Sequence, residues 1–586
     1  GADAPLCLHA LAEYEAVQLF TERARSVLPA FELTDTNACA VARICRRLDG
    51  IPLALELAAA RMRVLAPEQI AQRLEGNFRL LVTGNRNALP RHQTLHAAID
   101  WSYALLTPQE RLLLDRLSLF AAAFTIEAAE AVCAGGDIHV DDVLTLIGAL
   151  VDKSLVTMQE CSGVARYRLL EAVRHFARER LAERGEEPAL QRRHGEFFAR
   201  LAEDAEPHLL SPRRTAVARS LSAVHDDIRA ALAWAFGPCG AGDVGVRIAG
   251  SLWWFWHYIG SIGEARRWLG EALAAPAGMA PGLARARVLY GASLAAWMAG
   301  DHAAAIPLSA EAVALCRAHG APRDLARALG SRAFALRDRG EISCAIAAAE
   351  ECVAVARTGA VDATDLALSL LTLGSMRLSA GHLPQALALQ QEAEAVWRSS
   401  GNAWGLSQTL HGLAMIALHL GRLDEALRHC REALAVLREE RDVWFVCRPL
   451  EGLAIVLAHR RSFTAAARLL GAVEVQREVI GAPVLPFERR RHDATVAAIR
   501  EALPPHEFAT AWAEGRALTL ERAIEAALAY AADGPADRAT TAAIPVAAAG
   551  AATAPAAAGS ATTGEPARPV PAVAGEPVPA LRVVSL

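Results

Sequence analysis

Lysine is almost missing from this chain of 586 residues: Lys153 is the only one among 60 basic side chains, the rest being arginine. A phosphate-binding P-loop places a lysine directly after a glycine-rich turn, where it reaches the β and γ phosphates. Lys153 sits in Val151-Asp152-Lys153-Ser154-Leu155 with no such turn before it, so the chain alone carries no P-loop. Paired cysteines are missing too. None of the 11 forms a CxxC, which removes the usual zinc and thioredoxin-type motifs and predicts small, reduced, buried thiols in a cytoplasmic protein. No uncharged apolar run reaches the roughly 18 residues that a membrane span needs, and no basic leader with an apolar core opens the chain. The net charge is −5, so there is no overall attraction for a phosphate backbone. The densest basic run, Arg489-Arg490-Arg491, is bracketed by Glu488 and Asp493 and reads as a solvated helix face.

What the chain does have is a repeat. Gly260, Gly300, Gly340, Gly381 and Gly421 recur at near-constant spacing, and five residues after each stands alanine: Ala265, Ala305, Ala345, Ala386 and Ala426. A sixth copy keeps Ala466 but has Arg461 in the glycine position. Seven residues beyond each alanine comes another small side chain, from Ala272 through Ala312, Cys352, Ala393 and Ala433 to Val473. A glycine that turns the chain, then small residues two helical turns apart on one face, predicts stacked helical hairpins over 243–480. The pattern resembles the tetratricopeptide repeat, best in Leu373-Gly374 through Gly381 and Ala386. Such hairpins cannot bury their faces singly and stack into a superhelix whose inner surface holds a partner.

Upstream, Thr34 or Asp35 caps a helix that stops at Gly50, and Pro52 opens the next. Thr107-Pro108-Gln109-Glu110 is a capping box with a proline in the first turn. Helical signals followed by two short strand-like runs, 154–159 and 165–170, predict a winged helix over 91–181. A helical linker, 182–242, leads to the repeats, and two more amphipathic helices fill 481–532. The Ala/Pro-rich tail, 533–586, has no aromatic residue and is expected to be disordered. The expected fold is therefore all-α: a helical domain plus winged helix followed by a TPR-like α-superhelix.

Glu15-Ala16, Leu19-Phe20 and Arg23-Ala24, then Arg46 through Leu57 around Gly50-Ile51-Pro52, Arg91-His92-Gln93-Thr94-Leu95 and Asp100-Trp101-Ser102-Tyr103 together resemble the STAND regulators. More closely, they are similar to NB-ARC-type ATPases among bacterial LuxR-like and antibiotic-regulatory transcription factors, over about 1–530. The resemblance implies a P-loop domain, a helical domain (here 1–90), a winged helix and a repeat sensor, locked by ADP. It assigns Gly50 and Pro52 to the adenine pocket. The family's Met-His-Asp motif falls on Leu169-Leu170-Glu171, so leucine replaces the phosphate-touching histidine. Because Gly1 follows the point where the family's nucleotide-binding core ends, the resemblance implies a longer parent protein that supplies the core and its ATP or ADP; no cofactor and no catalytic residue is expected within this chain, and no enzyme activity of its own.

Three local signals have blander explanations. Leu106-Thr107-Pro108-Gln109-Glu110-Arg111 looks like the start of a LuxR DNA-binding domain, but the apolar run Leu119 to Phe124 stands where a recognition helix should follow. His92 and His96 have zinc-compatible spacing without a third ligand, so no metal is expected. Trp253 and Trp256, on the first helix of the first repeat, are candidates for a ligand platform, against the commoner role of aromatic core. The reading is the sensor region of an ATP-switched transcriptional regulator. It takes an effector or regulatory protein on its repeats, self-associates, and reaches DNA only through a domain outside the chain. The alternatives are the sensory half of a nucleotide cyclase or kinase fusion, and a nucleotide-independent scaffold.

Overall fold

The computed structural model describes residues 11–28, 31–48, 50–76, 95–161, 163–440, 445–481 and 483–530. Among these, the only sheet is a two-stranded hairpin and everything else regular is helix, so the fold is all-α. The expected disordered tail and His92 lie outside the described residues.

Helices Glu15–Val27, Asp35–Arg47, Pro52–Ala60 and Pro67–Gly76 close around Phe20, Ile44, Leu48, Leu55 and Ile70, all fully buried. Thr34 caps the second of them, its N–H donating to Asn37 Oδ1 at 2.9 Å. Gly50 ends that turn in the left-handed region, at φ 68°, and its N–H returns to the Cys45 carbonyl at 3.1 Å. Glycine adopts this conformation without a Cβ penalty, and Pro52 then starts the next helix at its first position.

The winged helix comprises helices Pro108–Leu117, Ile126–Cys133 and Val143–Asp152 and the antiparallel hairpin of β1, Val156–Cys161, and β2, Val164–Leu169. Val156 pairs with Leu169, both buried, which anchors the base of the wing, while most of the remaining strand residues face out. Its first helix starts as the capping box requires. The Glu110 N–H donates to Thr107 Oγ1 at 3.2 Å, and the Thr107 N–H to Glu110 Oε2 at 2.8 Å. The one lysine has a structural partner here: Lys153 Nζ donates to Glu110 Oε1.

Helices Glu171–Arg184, Glu187–Ala205, Arg214–Ser222 and His225–Ala235 connect this module to six stacked hairpins. In five of these the turn glycine has φ between 70° and 92°. In the sixth Arg461 holds the same left-handed conformation, φ 64°, with a side chain that pays a steric penalty there. The six alanines five residues on are each fully buried. The small residues at the next seven-residue step are 0–2% exposed. Small side chains at both positions let successive helices approach closely, which is why the period was readable in the sequence. The first hairpin departs from the rule. Its first helix breaks at Leu252 into Gly242–Ser251 and Trp253–Tyr258, turning the aromatic segment inward. Beyond Ile480, helices Pro486–Ala502, Pro505–Arg516 and Leu520–Tyr530 close the end of the stack.

Candidate functional site

Between Ala205 and Arg214 the linker enters the superhelix and is tied down at several points. Glu206 is buried. Its Oε2 accepts from Arg323 Nη1 at 3.0 Å and its Oε1 from Arg327 Nη1. Both arginines lie on helix Pro322–Asp338, one turn apart, and both also hold Asp365, at 3.1 Å from Arg323 Nε and 2.7 Å from Arg327 Nε. Two cations and two carboxylates thus form a neutral buried network, the arrangement in which desolvated charges survive. Four residues further on, the Leu210 carbonyl accepts from Asn402 Nδ2 at 2.6 Å, while Asn402 Oδ1 caps helix Ala403–His419 through the Gly405 N–H at 3.0 Å. Finally, the Arg214 guanidinium lies 4.7 Å from the Tyr258 ring centroid and 5.4 Å from that of Trp404. One short segment is therefore held by the first, third and fifth hairpins at once, and through Arg323 and Arg327 it is linked to Asp365 of the fourth.

On the opposite side, the C-terminal segment folds back onto the same inner face. The Arg337 guanidinium stacks on Phe487, 3.4 Å from its centroid, and Arg448 Nε donates to Glu488 Oε1 at 3.0 Å. Burial raises the Glu488 pKa, but Arg448 and Arg477 beside it outweigh this and hold the carboxyl below the ordinary glutamate range. A cavity on this face is lined by Phe487 of the C-terminal segment, by the rings of Trp253, Trp254, Trp297, Phe334, Trp404 and Phe445, and by polar side chains that include Arg327 and Asp365 of the ion network.

Of the two tryptophans singled out from sequence, Trp253 is 2% exposed and lines this cavity, whereas Trp256 is fully enclosed in the core away from it. Both indole N–H groups lack an acceptor in the protein. Sequence reading missed Trp404 and Phe445, whose rings stack edge-on at 5.6 Å, with Trp404 a further 5.5 Å from Trp254. They lie far along the chain, and only the curvature of the superhelix brings them to the first hairpin.

A second pocket, of ≈ 630 Å³, opens between the N-terminal helices and the winged helix. Arg43, Arg46, Arg47, Arg168 and Arg174 line it together with Leu169 and Glu171. Arg174 grips Glu171 with two bonds, 2.9 and 2.8 Å, and Arg47 adds a third. Burial pushes the Glu171 pKa up, yet the paired guanidiniums bring it below its usual value. Leu169 and Glu171, of the segment matching the Met-His-Asp motif, therefore face a dense arginine cluster, while Gly50 and Pro52 do not line the pocket and Pro52 is exposed.

The third helix of the winged domain, the one that reads DNA in proteins of this architecture, turns Leu144, Thr145, Gly148 and Asp152 to solvent. Apolar and acidic side chains match neither base edges nor phosphates. The loop before the second helix is instead taken up internally: the Ala121 N–H donates to Asp227 Oδ1 at 2.6 Å and the Ala122 N–H to Asp227 Oδ2 at 3.2 Å. Among the described residues, no His, Cys, Asp and Glu cluster could hold a metal ion, and no helix is long and apolar enough to cross a membrane.

Fold and site define a class: a winged-helix module joined by a latched linker to a tetratricopeptide-like superhelix, the architecture of a regulatory protein. Residues 106–182 match the winged helix-turn-helix domain family, and residues 406–440 match the tetratricopeptide repeat, one hairpin later than the copy that stands out by eye. Over 322 residues, 54% of the chain, it is 41% identical to a Mycobacterium tuberculosis protein named as an HTH-type transcriptional regulator, Rv0890c, of which it covers 36%. Over 181 residues, 31% of the chain, it is 44% identical to the uncharacterized Rv0894 of the same organism, of which it covers 46%. The chain thus spans between a third and a half of the length of these relatives. Among solved structures, a Pyrococcus horikoshii STAND protein with a tetratricopeptide repeat sensor aligns over 88% of this chain and 74% of its own, at 15% identity and a TM-score of 0.41.

Proposed function

We propose that this chain is the sensor region of an ATP-switched transcriptional regulator in bacteria. The observation that carries the reading is the Glu206 latch. The segment leaving the winged-helix module is held by charged and polar side chains of the repeats, so anything that shifts the hairpins against one another also acts on the switch module. A ligand changes such an equilibrium by its differential affinity for the latched and released arrangements. Likeness to an HTH-type regulator supplies the transcriptional part of the reading.

The nucleotide part rests on family resemblance and on chemistry at the arginine pocket. Arg43, Arg46 and Arg168, on helix Asp35–Arg47 and strand β2, are suited to phosphate oxygens. The lysine-bearing loop that a nucleotide also needs would have to come from outside the chain. Cytoplasmic location, self-association in the released state and DNA binding through a separate domain belong to the same proposal.

The test is to read the coding sequence contiguous with Gly1, express the complete protein, and compare its oligomeric state with ADP and with a non-hydrolysable ATP analogue. A GxxxxGK[ST] loop upstream, and assembly with the triphosphate only, are the expected results. A complete protein without that loop overturns the ATP switch and leaves a repeat-based binding protein.

A further inference from the structure

A third pocket, of ≈ 570 Å³, lies outside the repeats, between the winged-helix module and the linker, and its volume falls in the range of small-molecule sites. Two linker helices give it long apolar faces. Phe197, Phe198 and Leu201 line it from helix Glu187–Ala205, and Val217 and Leu221, one turn apart, from helix Arg214–Ser222. Phe124 and Ala128 of the winged helix complete the wall. Phe198, Leu221, Phe124 and Ala128 are at most 4% exposed, whereas Phe197, Leu201 and Val217 are only half-buried. Apolar surface is thus left in contact with water along a concave site that no described residue covers.

The charged groups that face the pocket are not equivalent. Asp227 is fully buried and already accepts from the Ala121 and Ala122 N–H groups, with His194 Nε2 a further 3.3 Å away. Asp204 is exposed, so water and salt screen its charge. Thr125, Ser220 and His208 complete the polar lining. Arg166 differs from all of these. It is half-buried on strand β2, beside the bridge in which Phe124 and Tyr167 exchange backbone hydrogen bonds of 2.9 and 2.8 Å. Its Nη1 donates to the Ala123 carbonyl at 3.3 Å, which holds the guanidinium next to the Phe124 wall. Among the described residues no carboxylate pairs with it, nor with Arg213, which lines the pocket from the linker. A guanidinium with most of its donors open is suited to a carboxylate. An anionic head on Arg166 and an apolar body along Phe197 and Phe198 would satisfy both features at once; a sugar or a polyphosphate would leave the apolar walls unused.

We propose that this pocket binds a small amphipathic acid, a single carboxylate on a mainly aliphatic body of medium length. The site goes beyond the reading of the repeats as sensor. Its wall includes Asp204, Ala205 and His208, which flank Glu206, so a ligand there lies against the latch from the winged-helix side. It stands whether or not the parent protein carries an ATP switch.

The probe is decanoate, kept below its micellar concentration and titrated calorimetrically into the full 586-residue chain. Saturable one-to-one binding is expected, with octanoate about tenfold weaker, because each buried methylene is worth about fourfold. Ala216 is exposed and lines the pocket from helix Arg214–Ser222, so Ala216→Trp sets a ring over the mouth without entering the core. It should weaken decanoate at least tenfold while circular dichroism and the unfolding midpoint match the parent. Arg166→Gln can still donate to the Ala123 carbonyl but carries no charge. It should weaken decanoate about tenfold and leave decan-1-ol, which has the same body and a neutral head, within about twofold. Absence of saturable binding to the parent chain, or equal decanoate binding by Ala216→Trp, overturns the site. Loss of decanoate and decan-1-ol to the same degree in Arg166→Gln, or of neither, overturns the carboxylate as the head group. A parent chain that dimerises while Ala216→Trp stays monomeric, with decanoate inert, gives the groove to a second copy and overturns the proposal. Each of these results leaves the ATP-switch reading untouched, since that reading is tested on the complete protein with nucleotide.

Discussion

Glu206 and Arg327, 121 residues apart in sequence, form a buried ion pair that joins the linker to the inner face of the third hairpin. Removing one member of such a set leaves the others desolvated and unbalanced, here two arginines against Asp365 alone. Glu206→Gln is expected to destabilise the chain by about 3 kcal/mol, read from the urea midpoint by circular dichroism. If the pair only decorated the surface, the change would stay within about 0.5 kcal/mol.

Asn402 tests the latch without disturbing the helix it caps. Aspartate keeps the cap acceptor for the Gly405 N–H but sets a carboxylate against the Leu210 carbonyl, where Asn402 now donates. Asn402→Asp should therefore raise hydrogen exchange over 206–214 at least tenfold while leaving the first turn of helix Ala403–His419 protected. Alanine, which loses both bonds, should loosen both.

Arg461 stands where five other hairpins have glycine, with a left-handed backbone at φ 64°. Arg461→Gly relieves about 1 kcal/mol of steric strain, partly offset by the extra freedom of glycine in the unfolded chain. A net gain of about 0.5 kcal/mol is expected, seen as a higher thermal midpoint. Gly381→Ala, at φ 77°, should move the midpoint the other way.

That symmetry was legible in the sequence because it is local: a turn glycine, an alanine five residues later and a small residue two turns on are all dictated within one hairpin. The capping box at Thr107 and Glu110 and the junction at Gly50 and Pro52 were legible for the same reason. The latch was not. Nothing around Glu206 marks it as the partner of Arg327, and Trp404 has no neighbour in sequence that predicts its contact with Trp254. Such pairs depend on how far the superhelix turns per repeat, which accumulates over several hairpins and has no local signature. Gly515 escaped for a related reason, since in sequence it looks like a helix weakener.

In the structure Gly515 is a contact point. Helices Phe463–Ile480 and Pro505–Arg516 cross so closely that a Cβ on Gly515 would fall 1.9 Å from the Arg468 carbonyl oxygen, and one on Gly471 2.4 Å from that of Trp512. Gly515→Ala must push the helices apart, at a cost of about 3 kcal/mol. Exchange protection over 505–530 should fall, with the first three hairpins unaffected. An alanine variant as stable as the parent would show that the helices do not cross this closely in solution.

Acid should release the C-terminal segment through Glu488. Its carboxylate is buried against Arg448, with Arg477, Arg491 and His411 also facing it. Its folded pKa lies below the ordinary 4.5, so the group contributes stability that is fully present above that value and is lost as pH falls through the folded one. His411 adds to the trend. Burial and the nearby arginines keep it neutral, with a folded pKa well below 6.5, so the unfolded chain takes up its proton first as pH drops. His492 opposes it, since Glu451 raises its pKa and stabilises the charged form, a contribution present below 6.5 and lost as pH rises. Glu488→Gln separates these groups, because the two histidines titrate in both proteins. The variant should be less stable by about 3 kcal/mol at pH 7, and the gap should narrow steadily below pH 4.5, where Glu488 of the unfolded chain takes up a proton while the folded carboxylate still resists it. A gap that stays constant down to the acid limit would mean that Glu488 is not held as a buried anion, and that Arg448 finds its counter-charge elsewhere.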